Sequence, residues 1–136
     1  MNKITFFKNA IFTMVLFFSI TLSAQTEPEV IKDWTVLEEA DYLVDVSYKI
    51  VKCSTASNPE ILLNVFNESG IKTNFGFTLH LKGANNNTED VVLDLSVPQA
   101  TMHIASCENN QYPKLKFNVP TGIDVTNLSI TITYKE

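Results

Sequence analysis

The chain has 136 residues, with ten lysines and no arginine against fifteen acids, a formal net charge of −5 at neutral pH and 45% hydrophobic residues. That length suits one domain with a core of its own. An acidic surface repels phosphate backbones and the absent guanidinium removes their usual bidentate reader, so composition argues against nucleic-acid binding and, by sign, against docking on anionic lipid.

Residues 1–24 read as a cleaved signal peptide. Lys3 and Lys8 precede an apolar run from Ala10 to Leu22, followed by the small residues Ser23 and Ala24. Cleavage after Ala24 is expected, with a cut one residue earlier as the alternative because Leu22 is large for the minus-three position. The run falls short of the roughly twenty residues that span a bilayer, so no stable membrane insertion is expected after cleavage. Gln25 stands where a lipid-modified cysteine would. The expected localisation is therefore secreted or periplasmic, and loss of Lys3 and Lys8 takes the mature charge to −7.

Residues 25–32 are polar and proline-bearing, a flexible lead-in to a single domain over 33–136. Around Trp34, Val36 and Leu37 the succession Trp-Thr-Val favours a short first strand, its indole plugging an end of the core, over a helical face from Val30 to Leu37. Val44, Val46, Tyr48 and Ile50 then alternate with polar residues, as do Phe75 to Leu81 and Leu128 to Tyr134, the pattern of half-buried strands. Ile61 to Phe66 is more continuously apolar and suits a central strand. Val91, Leu93, Leu95 and Val97 give another alternating run ended by Pro98, and Met102 with Ile104, then Leu115, Phe117 and Val119, supply two shorter ones.

Turn clusters separate these runs at Ser54 to Pro59, Asn67 to Gly70, Gly83 to Asp90, Glu108 to Pro113 and Pro120 to Asn127. Seven or eight short strands so punctuated imply an all-β domain of two packed antiparallel sheets. In general architecture it resembles an immunoglobulin-like sandwich.

The only cysteines are Cys53 and Cys107, and in an exported domain they are expected to form a structural disulfide. Both depart from the mid-strand, inward-facing placement of an antibody-type bridge. Cys53 shares the outward parity of Asp45, Ser47 and Lys49 and stands at a strand end; Cys107 opens the polar run Glu108-Asn109-Asn110-Gln111. If successive strands alternate in direction, the second and sixth run the same way, and both thiols emerge at one end of the sandwich. Closing that loop of about 55 residues is worth roughly 4 kcal/mol in the chain-entropy treatment.

His80 and His103 read as surface residues on the wet faces of their strands, with no ligand spacing for zinc or copper, and no cofactor is expected. Glu38, Glu39, Asp41 and Asp45 read as a solvated edge. Glu89, Asp90 and Asp94 lack the ordered spacing of a calcium loop. None of G-x-S-x-G, H-E-x-x-H or a phosphate-cradling glycine loop occurs, so no catalytic residue is nominated.

Alternating strand directions would gather Asn58, Asn85, Asn86, Asn87, Asn109 and Asn110 at the cysteine end, where amide donors and acceptors could hold a glycan or a partner's backbone. Asparagine's aptitude for turns is the simpler account of the same residues. Sequons stand at Asn67, Asn86 and Asn127 and matter only in a eukaryotic secretory route. The expected function is a non-catalytic binding or accessory module with a protein or glycan partner. The alternative is a structural subunit that pairs the edge strand Leu128 to Tyr134 across chains, and a hydrolase ranks third.

Overall fold

The computed structural model describes residues 27–37 and 43–135; the expected leader, and Glu38, Glu39 and Asp41, lie outside the described residues. Eight strands follow in order: β1 Glu29–Leu37, β2 Val44–Lys52, β3 Glu60–Asn67, β4 Asn74–Lys82, β5 Thr88–Ser96, β6 Thr101–Ile104, β7 Lys116–Asn118 and β8 Ser129–Tyr134. The larger sheet has the order β1-β2-β3-β6, with β7 sharing the same edge of β3; the smaller has the order β5-β4-β8. Every pairing is antiparallel.

Alternation places the core. Val46, Tyr48 and Ile50 pair with Val65, Leu63 and Ile61, and all six are buried. They face Phe77, Leu79 and Leu81 of β4; Phe77 pairs with Leu93 and Leu79 with Val91 on one side, and the three pair with Tyr134, Ile132 and Ile130 on the other. Two apolar faces thus meet as the two layers of a β-sandwich.

Three expectations at the periphery need correction. The first strand starts at Glu29, inside the expected lead-in, because Val30 pairs with Val51 and Glu29 reaches the Lys52 ammonium at 3.3 Å. Trp34 does not plug the core: β1 shifts register between Lys32 and Thr35, and Trp34 stays 38% exposed. The parity of β6 is opposite to that expected. His103 pairs with inward Val65, whereas Met102 and Ile104 are exposed on the outer face at 53% and 45%. The backbone bond from Ala105 N to Leu63 O carries this register on, and buried Ala105 takes the next inward place.

The crossing from β3 to β4 is pinned by a wholly buried amide. Asn67 Nδ2 donates to Lys72 O and Val97 O at 2.8 Å each, and Asn67 Oδ1 accepts from Ser69 N–H at 2.9 Å. One side chain therefore ties the end of the larger sheet to both strands of the smaller one's hairpin. Tyr134 Oη donates to Val44 O at 2.7 Å and joins the sheets again at the same end.

Cys53 follows β2 and Cys107 follows β6; both strands run antiparallel to β3 and hence parallel to each other. Their sulfurs stand at bonding distance, 2.06 Å, with the Cα atoms 5.3 Å apart. Strands on either side of β3 are about 9.6 Å apart, twice the inter-strand spacing. The chain after Ala105 must therefore leave the sheet edge and be drawn over the start of β3. Cys53 continues the outward parity of Lys49 and Val51. Val51 and Leu62 face away from the smaller sheet yet are only 2% and 4% exposed, so the larger sheet's outer face is covered at this end, on the side to which the parity of Cys53 turns the bridge.

Candidate functional site

The asparagines nominated from sequence are largely occupied in shaping turns. Asn85 Nδ2 and Asn87 Nδ2 both donate to Gly122 O at 2.9 Å, which fastens the β4–β5 hairpin to the β7–β8 connection. Gly122 adopts φ +90°, a backbone conformation that suits glycine, and Asn86 takes the left-handed turn position at φ +60°. Asn109 Oδ1 accepts from Gln111 N–H within its own loop. Asn58, Asn86 and Asn110 are exposed. The 54–59 and 83–87 turns do share one end of the sandwich, linked through the β7–β8 connection by Val119 N–H to Pro59 O and by the Gly122 contacts.

A different constellation forms at the other end, along β5. Gly76 of β4 pairs with Asp94 of β5, and Lys135 continues the β8 ladder through its N–H to Gly76 O. A Cβ on Gly76 would lie 2.5 Å from Asp94 Oδ1 and 2.9 Å from Lys135 Cδ, so the bare glycine is what lets the Asp94–Lys135 ion pair, 2.8 Å, lie flat across the sheet. Lys72, Asn74, Ser96 and Lys114 complete a depression of about 490 Å³ over this floor. Three of the ten lysines stand here against one carboxylate. Among the described residues Lys72 has no ion-pair partner.

This depression continues into a second, more apolar one of about 290 Å³. The two share Asp94, Leu95, Ser96 and Lys114, and the second adds His103, Gln111, Tyr112 and Leu115. Its wall is the His103–Tyr112 pair, stacked with ring centroids 4.0 Å apart and planes 15° from parallel. Gln111 Nε2 donates to Tyr112 Oη at 3.1 Å. The inward parity of β6 is what brings His103 here. A single 3-10 turn at Pro113–Leu115 returns the chain to β7, and it places Lys114 so that Nζ donates to the edge carbonyl of Asp94 at 3.0 Å.

On the open face of the smaller sheet, His80 Nδ1 lies 2.7 Å from Asp90 Oδ1 and His80 Nε2 lies 3.0 Å from Thr133 Oγ1. The order hydroxyl, imidazole, carboxylate is that of a hydrolase relay. It spans three neighbouring strands, however, and Thr133 and His80 sit in the β4–β8 ladder, where backbone N–H groups lie in the sheet plane and point at other strands. An oxyanion needs donors aimed out of that plane, so the trio acts as a cross-strand tie. Among the described residues no cluster of three His, Cys, Asp or Glu side chains could hold a metal ion. Two exposed carboxyls are held below their ordinary range: Asp33 by the Trp34 N–H and then Lys49, Asp124 by the Thr126 N–H.

On the outer face of the larger sheet, Asn64 Oδ1 is buried with no hydrogen-bond partner among the described residues, beside exposed Ile104. A scan against protein-family models, a search of curated proteins and a search of solved structures each found no match to this chain. Function rests on the geometry just described. The groove along β5 escaped sequence reasoning because its residues come from five separate stretches of chain, around Gly76, Asp94, His103, Tyr112 and Lys135; the one local signal was Gly76, a strand-interior glycine in an otherwise regular alternation.

Proposed function

We propose that the chain is a small exported, non-catalytic binding or accessory module that works in the cell envelope or outside the cell. The observation that carries this reading is the continuous groove along β5, where a lysine-lined floor over Gly76 joins the wall made by His103 and Tyr112. A concave surface with an apolar wall and a few converging polar groups is the form small-ligand sites take. The ligand is a glycan or a segment of a partner protein. Export is supported by the Lys3, Lys8 and Ala10–Leu22 pattern and by the joined Cys53 and Cys107.

The sandwich itself is proposed to be immunoglobulin-like in general architecture. Strand β3 lies beside β7 in one sheet and β4 beside β8 in the other, while the β3–β4 and β7–β8 connections both cross between sheets. That is the relation of strands B, E, C and F in such domains. The β1-β2-β3 meander and the division of one β3 edge between β6 and β7 are its departures.

To test the reading, the full chain is expressed with its own leader, fractionated, and the exported form presented to a glycan array with and without Gly76→Ala. Export with loss of residues 1–24, no reactive thiol and a ligand lost on Gly76→Ala are expected. A cytosolic chain with two reactive thiols sinks the export half. Binding indifferent to Gly76→Ala sinks the groove.

A second reading, a structural subunit joined through edge-strand pairing, is supported by β8 at the edge of the smaller sheet and by exposed Met102 and Ile104 beside Asn64 Oδ1, which has no hydrogen-bond partner among the described residues. Sedimentation as a monomer across the concentration range removes it.

A further inference from the structure

We infer that the β5 groove takes an acidic oligosaccharide, one whose sugars carry carboxylate or sulfate groups. This rests on the binding-module reading and gives it a ligand class. The mature chain is strongly acidic, yet Lys72, Lys114 and Lys135 converge on one depression opposite Asp94 alone. Asp94 is already matched by Lys135 at 2.8 Å across Gly76, so the ammonium groups of Lys72 and Lys114 remain as excess positive charge beside that ion pair. An anion entering this depression meets charge-assisted donors, with Ser96 and Asn74 beside them.

The adjoining wall selects what bears the anion. Tyr112 and His103 present a stacked aromatic surface with the Gln111 amide at its margin, a combination of apolar face and polar tip that suits the C–H face and hydroxyl rim of a pyranose. Lys114 lines both depressions, so a chain of two or more sugars can rest one ring on the wall and hold its charged neighbour in the depression that Lys72 and Lys114 line.

An acidic peptide is the competing occupant of a basic groove. An extended peptide would gain most by adding to the edge of β5, with its N–H groups donating to free carbonyls. The hydrogen-bonded pairs of the hairpin include Val97 with Thr73 and Gly83 with Asn87, and alternation along that ladder turns Asp94 O toward the free edge. Lys114 Nζ already occupies Asp94 O at 3.0 Å. Edge addition is therefore blocked at Asp94, where the two depressions meet.

The test uses the exported chain and five probes: polygalacturonate oligomers, their methyl esters, a sulfated dextran, neutral dextran and poly-glutamate, with binding measured by calorimetry at two salt concentrations. Polygalacturonate or sulfated dextran should bind, weakening with salt, and the methyl ester should lose about tenfold or more, as should Lys72→Gln with Lys114→Gln. Both lysines are exposed, so unchanged thermal unfolding of the double variant shows that the loss is local. Which of the two acidic polymers binds distinguishes carboxylate from sulfate. If polygalacturonate binds, equal binding of its methyl ester overturns the inference, as does poly-glutamate binding as tightly as whichever acidic polymer binds. If neutral dextran alone binds, the binding-module reading stands and the acidic ligand falls. If none of the five binds, the acidic-glycan inference fails, and the binding-module reading is then judged by the array.

Discussion

Replacing Asn67 by aspartate changes one atom type at the best-connected side chain of the fold. In the wild type the Nδ2 group donates twice, to Lys72 O and Val97 O, and Oδ1 accepts from Ser69 N–H, all with the residue fully buried. Three such bonds contribute about 1 kcal/mol each net, so Asn67→Ala should cost about 3 kcal/mol. Asn67→Asp keeps the shape and the Ser69 bond but turns a carboxylate oxygen toward two carbonyl oxygens. Each orphaned acceptor costs about 1–3 kcal/mol and the buried charge adds to it, for a deficit of about 4 kcal/mol or more at pH 7.

Burial and the facing carbonyls raise the folded pKa of that aspartate above its unfolded value of about 3.9. Stability from the protonated form is then fully present below the unfolded pKa and lost as pH rises through the folded one. At pH 4 the protonated acid donates one bond again and recovers about 1–2 kcal/mol of the deficit. Urea unfolding followed by far-UV circular dichroism reads this directly, since Trp34 is already partly exposed and reports poorly. With a slope of about 1.5 kcal/mol/M, the pH 7 midpoint should fall by roughly 2.5 M relative to wild type. A deficit below about 1 kcal/mol at pH 7, or the same deficit at both pH values, refutes the role given to Asn67.

Three further outcomes follow from other parts of the fold. Cys53→Ser with Cys107→Ser should lower stability by about 4 kcal/mol and Tm by roughly 15 °C with strand content intact; a shift below a few degrees refutes the entropic account. Met102→Lys should stay within about 0.5 kcal/mol of wild type while Ala105→Lys costs about 3 kcal/mol or more, and equal effects in thermal unfolding would return β6 to the opposite parity. Carboxyl resonances of Asp33 and Asp124 should titrate below 3.8, their stabilising contribution being present above that value and lost as pH falls through the folded pKa; ordinary titration contradicts the Trp34 and Thr126 bonds.

Where one face is buried and the other wet, alternation sufficed to read the structure: β2, β4 and β8 match the runs Val44–Ile50, Phe75–Leu81 and Leu128–Tyr134 nearly residue for residue. Outward cysteine parity and common strand direction were likewise legible, because both depend only on period and succession. Edge strands broke the rule. In β6 the apolar Met102 and Ile104 suggested the core, but four residues pairing on one side leave register to the small Ala105. Trp34 misled for a kindred reason, since a bulged edge strand frees even a large ring from the core. The groove was illegible because Lys72, Lys114 and Lys135 meet only through the β4 ladder and the turn before β7, while asparagines that are adjacent in sequence proved to be tying turns to one another.

The Cys53–Cys107 bridge lies outside the packed layers, and this bears on the order of maturation. A bridge between two sheets must close before or as they dock, so oxidation and collapse are bound together. A clasp laid over the back of one sheet can close last, on a scaffold whose layers have already met, and an oxidant can find both thiols on a folded surface. Reducing it later should slacken the 106–112 excursion while both layers stay assembled.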